Sequence, residues 1–186
     1  FQGTADMDPG AGVSSLASAG SSDVFVSVLD EDGTFVWARR LGGSGFDQSY
    51  SVELASDGGV LTAGKFSNTV DFDPGAGTFD LTSAGGYEAF VSKLDSNGEF
   101  VWASALGGAS SDEAQRIDPT ADGGAFVTGS FYSTAVFDPG PGLFQRTAVG
   151  AADVFVQRLN STGGLEWVQT FGGPSTDLGY AVIAAA

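Results

Sequence analysis

The residues best placed to do chemistry are acidic. Asp6-x-Asp8-Pro-Gly-Ala-Gly12 recurs as Asp71-x-Asp73-Pro-Gly-Ala-Gly77. Two carboxylates at i and i+2, followed by glycines that let backbone carbonyls turn inward, are the ingredients of a Ca²⁺ loop. A third copy, Ala135-Val-Phe-Asp138-Pro-Gly, keeps only the second carboxylate, and the chain has no full Asp-x-Asp-x-Asp-Gly pattern with a downstream Glu. The same residues spell an Asp-Pro-Gly turn, in which Asp accepts backbone N–H groups while Pro and Gly fix the bend. The turn is the preferred reading, with Asp6, Asp8, Asp71, Asp73 and Asp138 as candidate calcium ligands beside it.

Other acidic residues recur with the same regularity. Asp47, Asp112 and Asp177 each follow a Gly-Gly pair at a fixed offset, where a carboxylate can cap a loop through its own backbone or line a polar rim for a ligand; capping is preferred. Asp30-Glu-Asp-Gly33 and Asp95-Ser-Asn-Gly98 are too short for calcium loops and read as hairpin turns. The segment from Pro9 to Ser22 keeps its length as Pro74 to Tyr87 and Pro139 to Ala152. It is either a binding surface for a glycan or protein or a packed structural flap. Paired carboxylates can hydrolyse glycosides, but these occupy equivalent places in every copy, whereas an active site ordinarily breaks a repeat at one place. No enzyme is expected.

Composition removes further classes. The chain has 186 residues, with 23 Asp+Glu against 7 Lys+Arg and a formal net charge of −16, so it lacks the basic footprint of a nucleic-acid binder. It has no His and no Cys, which rules out Cys/His zinc sites, His-dependent triads and disulfides. No apolar run approaches the roughly 18 residues of a membrane span. With 42% apolar residues and 15 Phe, it can bury a core and is not a disordered polyanion. Starting at Phe1 without methionine or signal peptide, it reads as a processed product or an excerpt.

The elements that must hold these residues come from a repeat. Asp-Pro-Gly at 8, 73 and 138, Trp37, Trp102 and Trp167, and the Gly-Gly pairs at 42, 107 and 172 all recur every 65 residues. The copies run 1–65, 66–130 and 131–186, and the first two share 30 of 65 positions without a gap. Each copy reads as short apolar strands split by Asp/Asn-x-x-Gly and Asp-Gly-Gly turns, with no helical period. The expected fold is all-β, with propeller-type blades of four antiparallel strands. Two whole blades are expected, the first from Tyr50 to Leu106, with a strand pair leading in over 23–41 and a strand, Tyr180 to Ile183, trailing out. The three Trp residues, with Phe25, Phe90 and Phe155, are the expected core anchors between blades. Three repeats are too few to close a ring, so either flanking repeats or assembly of chains must complete it.

The repeat resembles the bacterial β-propeller repeat known as SBBP, in its Asp-Phe-Asp-Pro-Gly variant. Glu88-Ala-Phe-Val-Ser-Lys-Leu-Asp95, Phe100-Val-Trp102, Leu106-Gly-Gly108, Asp122-Gly-Gly124 and Thr128-Gly129 carry the likeness, with Asp71-Phe-Asp-Pro-Gly75 marking the variant. The third copy departs from the pattern at Asn160 and in its Ala184-Ala-Ala186 ending. The resemblance implies a propeller, export to the bacterial cell surface or beyond, and a scaffold or adhesion role without catalysis. The expected partners are a surface protein or a glycan, with Ca²⁺ as the one candidate cofactor. The alternatives are a structural subunit that assembles through open strand edges into a ring, fibre or surface layer, and a lectin-like module.

Overall fold

A computed structural model describes residues 1–138 and 144–184, and among these every regular element is a strand. The strands are β1 Thr4–Asp6, β2 Ser15–Ala17, β3 Val24–Leu29, β4 Phe35–Gly43, β5 Gln48–Leu54, β6 Val60–Phe66 and β7 Thr69–Asp71. They continue as β8 Asp80–Thr82, β9 Glu88–Leu94, β10 Phe100–Gly108, β11 Glu113–Pro119, β12 Ala125–Asp138, β13 Phe144–Leu159 and β14 Leu165–Phe171.

Pairing follows the repeat. β3 and β4 form a hairpin, β5-β6-β9-β10 an antiparallel meander, and β11-β12-β13-β14 a second one. The layers stack face to face. Val24, Val26, Trp37 and Leu41 of the leading hairpin pack on Phe66, Phe90 and Leu94 of the first meander. Leu61, Val91, Trp102 and Leu106 on its other side pack on Ile117, Val127, Phe131 and Phe155 of the second. All seven residues of β9 are buried, because a sheet covered on both faces has no solvent side and reads as a continuous run rather than an alternation.

The constant-length segments are small hairpins. β1 pairs with β2 and β7 with β8, and in the third copy the extension of β12 pairs with the start of β13. Gly42 and Gly43 pair with Asp71 and Val70, and Gly107 and Gly108 with Val136 and Ala135, stapling each later flap to the preceding copy. The inner sides of these flaps are packed: Val70 and Phe72 are buried on Phe66 and Phe90, and Phe137 on Phe131 and Phe155. Phe79 and Phe144 stay partly exposed on the flaps of the second and third copies.

Two sequence expectations differ from the structure. Tyr180 to Ile183 forms no strand. Its counterparts β5 and β11 pair with β6 and β12, and the equivalent third-copy partner would fall beyond residue 186. Phe25 and Trp167, expected in the core, are 45% and 38% exposed, whereas Phe90 and Phe155 are fully buried and Trp37 and Trp102 nearly so. The cause is position: Phe25 lies on the outer face of the leading hairpin, and Trp167 on the outer face of the last meander, each without a neighbouring layer. The third Asp-Pro-Gly loop falls mostly on residues 139–143, outside the described residues.

Candidate functional site

The two described Asp-Pro-Gly loops share one hydrogen-bond plan. Asp6 Oδ1 accepts the N–H groups of Asp8 at 3.1 Å and Ser14 at 2.8 Å; Asp71 Oδ1 accepts those of Asp73 at 3.0 Å and Phe79 at 2.8 Å. Asp8 and Asp73 then accept from Gly10 and Gly75 at 2.7 and 2.8 Å. The first carboxylate thus ties the two arms of the flap together and the second closes its turn. The N–H groups of Ser14 and Asp8 hold the Asp6 carboxyl below its ordinary range. Among the described residues, no three Asp, Glu, His or Cys side chains come together as a metal group. The turn alone accounts for the types of residue in the loop.

The Gly-Gly carboxylates cap loops between layers. Asp47 accepts from Gly43 at 2.9 Å and Ser67 at 3.2 Å, Asp112 from Gly108 at 2.8 Å and Tyr132 at 2.9 Å, and Asp177 from Gly173 at 2.8 Å. Each Asp is joined by a second acid that the sequence reading did not single out. Asp23, Glu88 and Asp153 accept from Ala19, Ala84 and Val149 at 2.9, 2.6 and 3.1 Å. The copies balance these buried charges differently. Arg40 reaches Asp23 at 3.0 Å, but the equivalent positions are Ala105 and Thr170. Burial pushes the Asp112 carboxyl up to about 6, against the opposing N–H groups of Tyr132 and Gly108. Burial also raises Glu88, with the charge of Asp112 adding to the effect.

The tryptophans bind one copy to the next. Trp37 Nε1 donates to Ser96 O at 3.0 Å and Trp102 Nε1 to Ser161 O at 3.2 Å, each 59 residues ahead. A β-bulge one residue before each Trp aims the ring. Phe100 opposes Leu94 and Trp102 opposes Lys93, leaving Val101 as the extra, exposed residue, and the same shift leaves Val36 extra before Trp37. The acceptor is an Asp/Asn-x-x-Gly turn whose glycine has φ of 77° at Gly98 and 80° at Gly163. A Cβ there would sit 3.0 Å from the Trp37 ring and 2.6 Å from the Trp102 ring, so glycine serves both the left-handed backbone and the close approach of the indole.

One cluster breaks the repeat. Lys65 at the end of β6 pairs with Glu113 of β11 at 2.6 Å, and its ammonium lies 4.5 Å from the Tyr87 ring and 5.7 Å from the Tyr50 ring. Gln115 donates to the other Glu113 oxygen at 2.7 Å. Desolvation alone would lower the Lys65 pKa, but Glu113 and Tyr50 outweigh it and raise it, so the ammonium stays charged. Tyr50 and Gln115 are the unpaired residues of bulges in β5 and β11. Ser130 replaces Lys65 in the next copy. The sequence signal was therefore a departure from the pattern, which a search for repeats passes over.

No family model matches the chain. It is similar to the regulatory protein FlaEY of Caulobacter vibrioides, 26% identical over 144 residues that make up 77% of this chain and 15% of that protein. It is also similar to the uncharacterized WD repeat-containing protein L264 of Acanthamoeba polyphaga mimivirus, 25% identical over 122 residues, 58% of this chain and 9% of that protein. The chain thus spans a small part of either relative. The likeness to a WD-repeat protein agrees with the all-β, layered architecture of the described residues.

Proposed function

We propose that the chain is a segment of a non-enzymatic β-propeller of the SBBP kind, exported to the bacterial surface, where it serves as a scaffold or adhesion module for protein partners. One observation carries the reading: successive 65-residue copies stack as antiparallel layers through the same Trp-to-turn clasp, at 3.0 and 3.2 Å. Stacked antiparallel layers of this kind are what a propeller is built from, and they leave the loops at the ends of the layers free for recognition. In this reading the flaps supply that recognition surface, with buried inner sides and Phe79 and Phe144 facing out.

Labelled protein added to isolated bacterial envelopes and to a glycan array tests the role. Saturable envelope binding that protease treatment of the envelopes abolishes supports a protein partner. Array hits, with envelope binding that survives protease, would replace this reading with a lectin. No binding on either would refute an adhesion role.

A further inference from the structure

The flap of the second copy begins to extend a sheet and then turns away from it. β4 pairs with β3 along Phe35 to Leu41, but on its other side it meets β7 only at Gly42 and Gly43, opposite Asp71 and Val70. Continued in that register, Asp73 would come level with Arg40. Instead Asp71 Oδ1 accepts the N–H groups of Asp73 and Phe79, and Pro74 has no N–H to give a ladder, so the chain turns. The same happens on β10, which β12 joins only at Gly107 and Gly108. Among the described residues, the outer edge of β4 from Phe35 to Leu41 therefore has no strand beside it.

The vacated place is a cleft of about 390 Å³. It touches Ala38, Arg39 and Arg40 together. Successive strand residues point to opposite faces, so a cleft that meets all three lies along the edge, where a further strand would run. The walls are the Asp73–Gly75 turn, Leu16 of the first flap and Glu99 of the next hairpin. All of them lie within residues 16–99, in copies that already stand side by side. Glu99 Oε2 is 3.6 Å from where a Cβ on Gly75 would sit, so loop and hairpin converge over the cleft. The guanidinium groups are engaged, Arg39 with Glu99 at 3.4 Å and Arg40 with Asp23 at 3.0 Å, while Asp71 and Asp73 make no ion pair among the described residues. The cleft thus keeps a negative charge. In the next copy Ser104, Ala105 and Gly164 replace Arg39, Arg40 and Glu99, so this charged lining belongs to one cleft alone.

We infer that this cleft receives an extended, basic segment of a partner protein, which adds as a strand to the edge of β4 and sets a Lys or Arg against Asp73. The inference rests on the protein-partner reading above and names the surface and the chemistry of that partner. The unpaired edge supplies main-chain hydrogen bonds, and the carboxylates select the charge. A second copy of this chain, at −16, is the wrong occupant on the same ground. The Asp-Pro-Gly loop gains a role beyond its own turn, because it stops the flap from closing the edge.

A ¹⁵N nuclear magnetic resonance titration with capped octapeptides tests this. The probes are alternating Lys-Val, alternating Glu-Val, and Lys-Val N-methylated throughout, which has no strand donors. Lys-Val is expected to shift the amides of Ala38, Arg39, Arg40 and Gly75, the N-methylated form to bind about tenfold more weakly, and Glu-Val to cause no shifts there. Asp73→Asn keeps the oxygen that Gly75 uses and is expected to weaken Lys-Val about threefold; Glu99→Lys, at an exposed position, is expected to weaken it about fivefold or more. Circular dichroism checks that both variants are folded. Shifts confined to other parts of the molecule, equal binding of the N-methylated peptide, or Glu-Val binding as tightly as Lys-Val would each overturn the inference. Protein-dependent envelope binding that Glu99→Lys leaves unchanged would also overturn it, with the protein-partner reading intact; envelope binding without any protein dependence would remove both.

Discussion

Replacing Trp102 and Trp167 by Ala in parallel separates a clasped indole from an unclasped one of the same repeat position. Trp102 is 8% exposed and donates to Ser161 O, while Trp167 is 38% exposed and meets no such turn among the described residues. A large aromatic buries about 200 Å². At about 25 cal/mol per Å², removal costs about 4–5 kcal/mol at Trp102 and about 3 kcal/mol at Trp167, both upper values because unfolded chains are partly compact. The lost hydrogen bond adds about 1 kcal/mol at Trp102 only. A cavity adds more there, while the open site at Trp167 relaxes. Trp102→Ala is therefore expected to cost at least about 2 kcal/mol more than Trp167→Ala. Urea unfolding followed by far-ultraviolet circular dichroism, at a concentration where the protein is monomeric, measures both. Equal losses would refute the idea that the next copy's turn is what holds the ring.

Three further outcomes follow from the same geometry. Gly163→Ala is expected to destabilise more than Gly33→Ala on a denaturation midpoint. Both pay about 1–2 kcal/mol for a left-handed residue, but only at Gly163 does the new Cβ meet a ring, 2.6 Å away. Asp112 has a folded-state pKa raised to about 6, above its ordinary value. It therefore favours folding most fully below about pH 4, and that contribution is lost as pH rises through 6. At about 1.4 kcal/mol per unit the loss is about 3 kcal/mol, so the stability gap between wild type and Asp112→Asn should shrink by about that much from pH 4 to pH 7.5; a constant gap contradicts the burial argument. Finally, the thermal midpoint should be the same with millimolar Ca²⁺ and with chelator if the backbone N–H bonds to Asp6 and Asp71 are the whole duty of these carboxylates. A rise with Ca²⁺ would support the metal reading, because a ligand of the native state must stabilise it.

Much of the fold was legible because the repeat repeats its turn chemistry. Asp95-Ser-Asn-Gly98 announced its hairpin through an Asx turn and a left-handed glycine, and the structure places the turn there. Asp47 and Asp112 were legible as caps because a short acid at a fixed distance from Gly-Gly has backbone N–H groups within reach. What a repeat conceals is the difference between its copies. Phe25 and Phe90 occupy the same place in the pattern and opposite environments in the structure, because only Phe90 has a layer on both sides. Tyr180 to Ile183 has the composition of a strand but pairs with none among the described residues. Lys65 and Glu113 are 48 residues apart and meet only because two meanders stack. Their partners Tyr50 and Tyr87 come from bulge and flap positions that no periodicity marks.

The stacking of successive copies through the tryptophan clasp is tested most directly by hydrogen exchange at the three indole N–H groups, followed by ¹⁵N nuclear magnetic resonance on dilute, monomeric protein. Two indole signals, from Trp37 and Trp102, are expected to be protected by their bonds to Ser96 O and Ser161 O, and the third, from Trp167, to exchange rapidly. Three signals of equal protection, or a Trp102 signal that exchanges as fast as that of Trp167, would contradict the account.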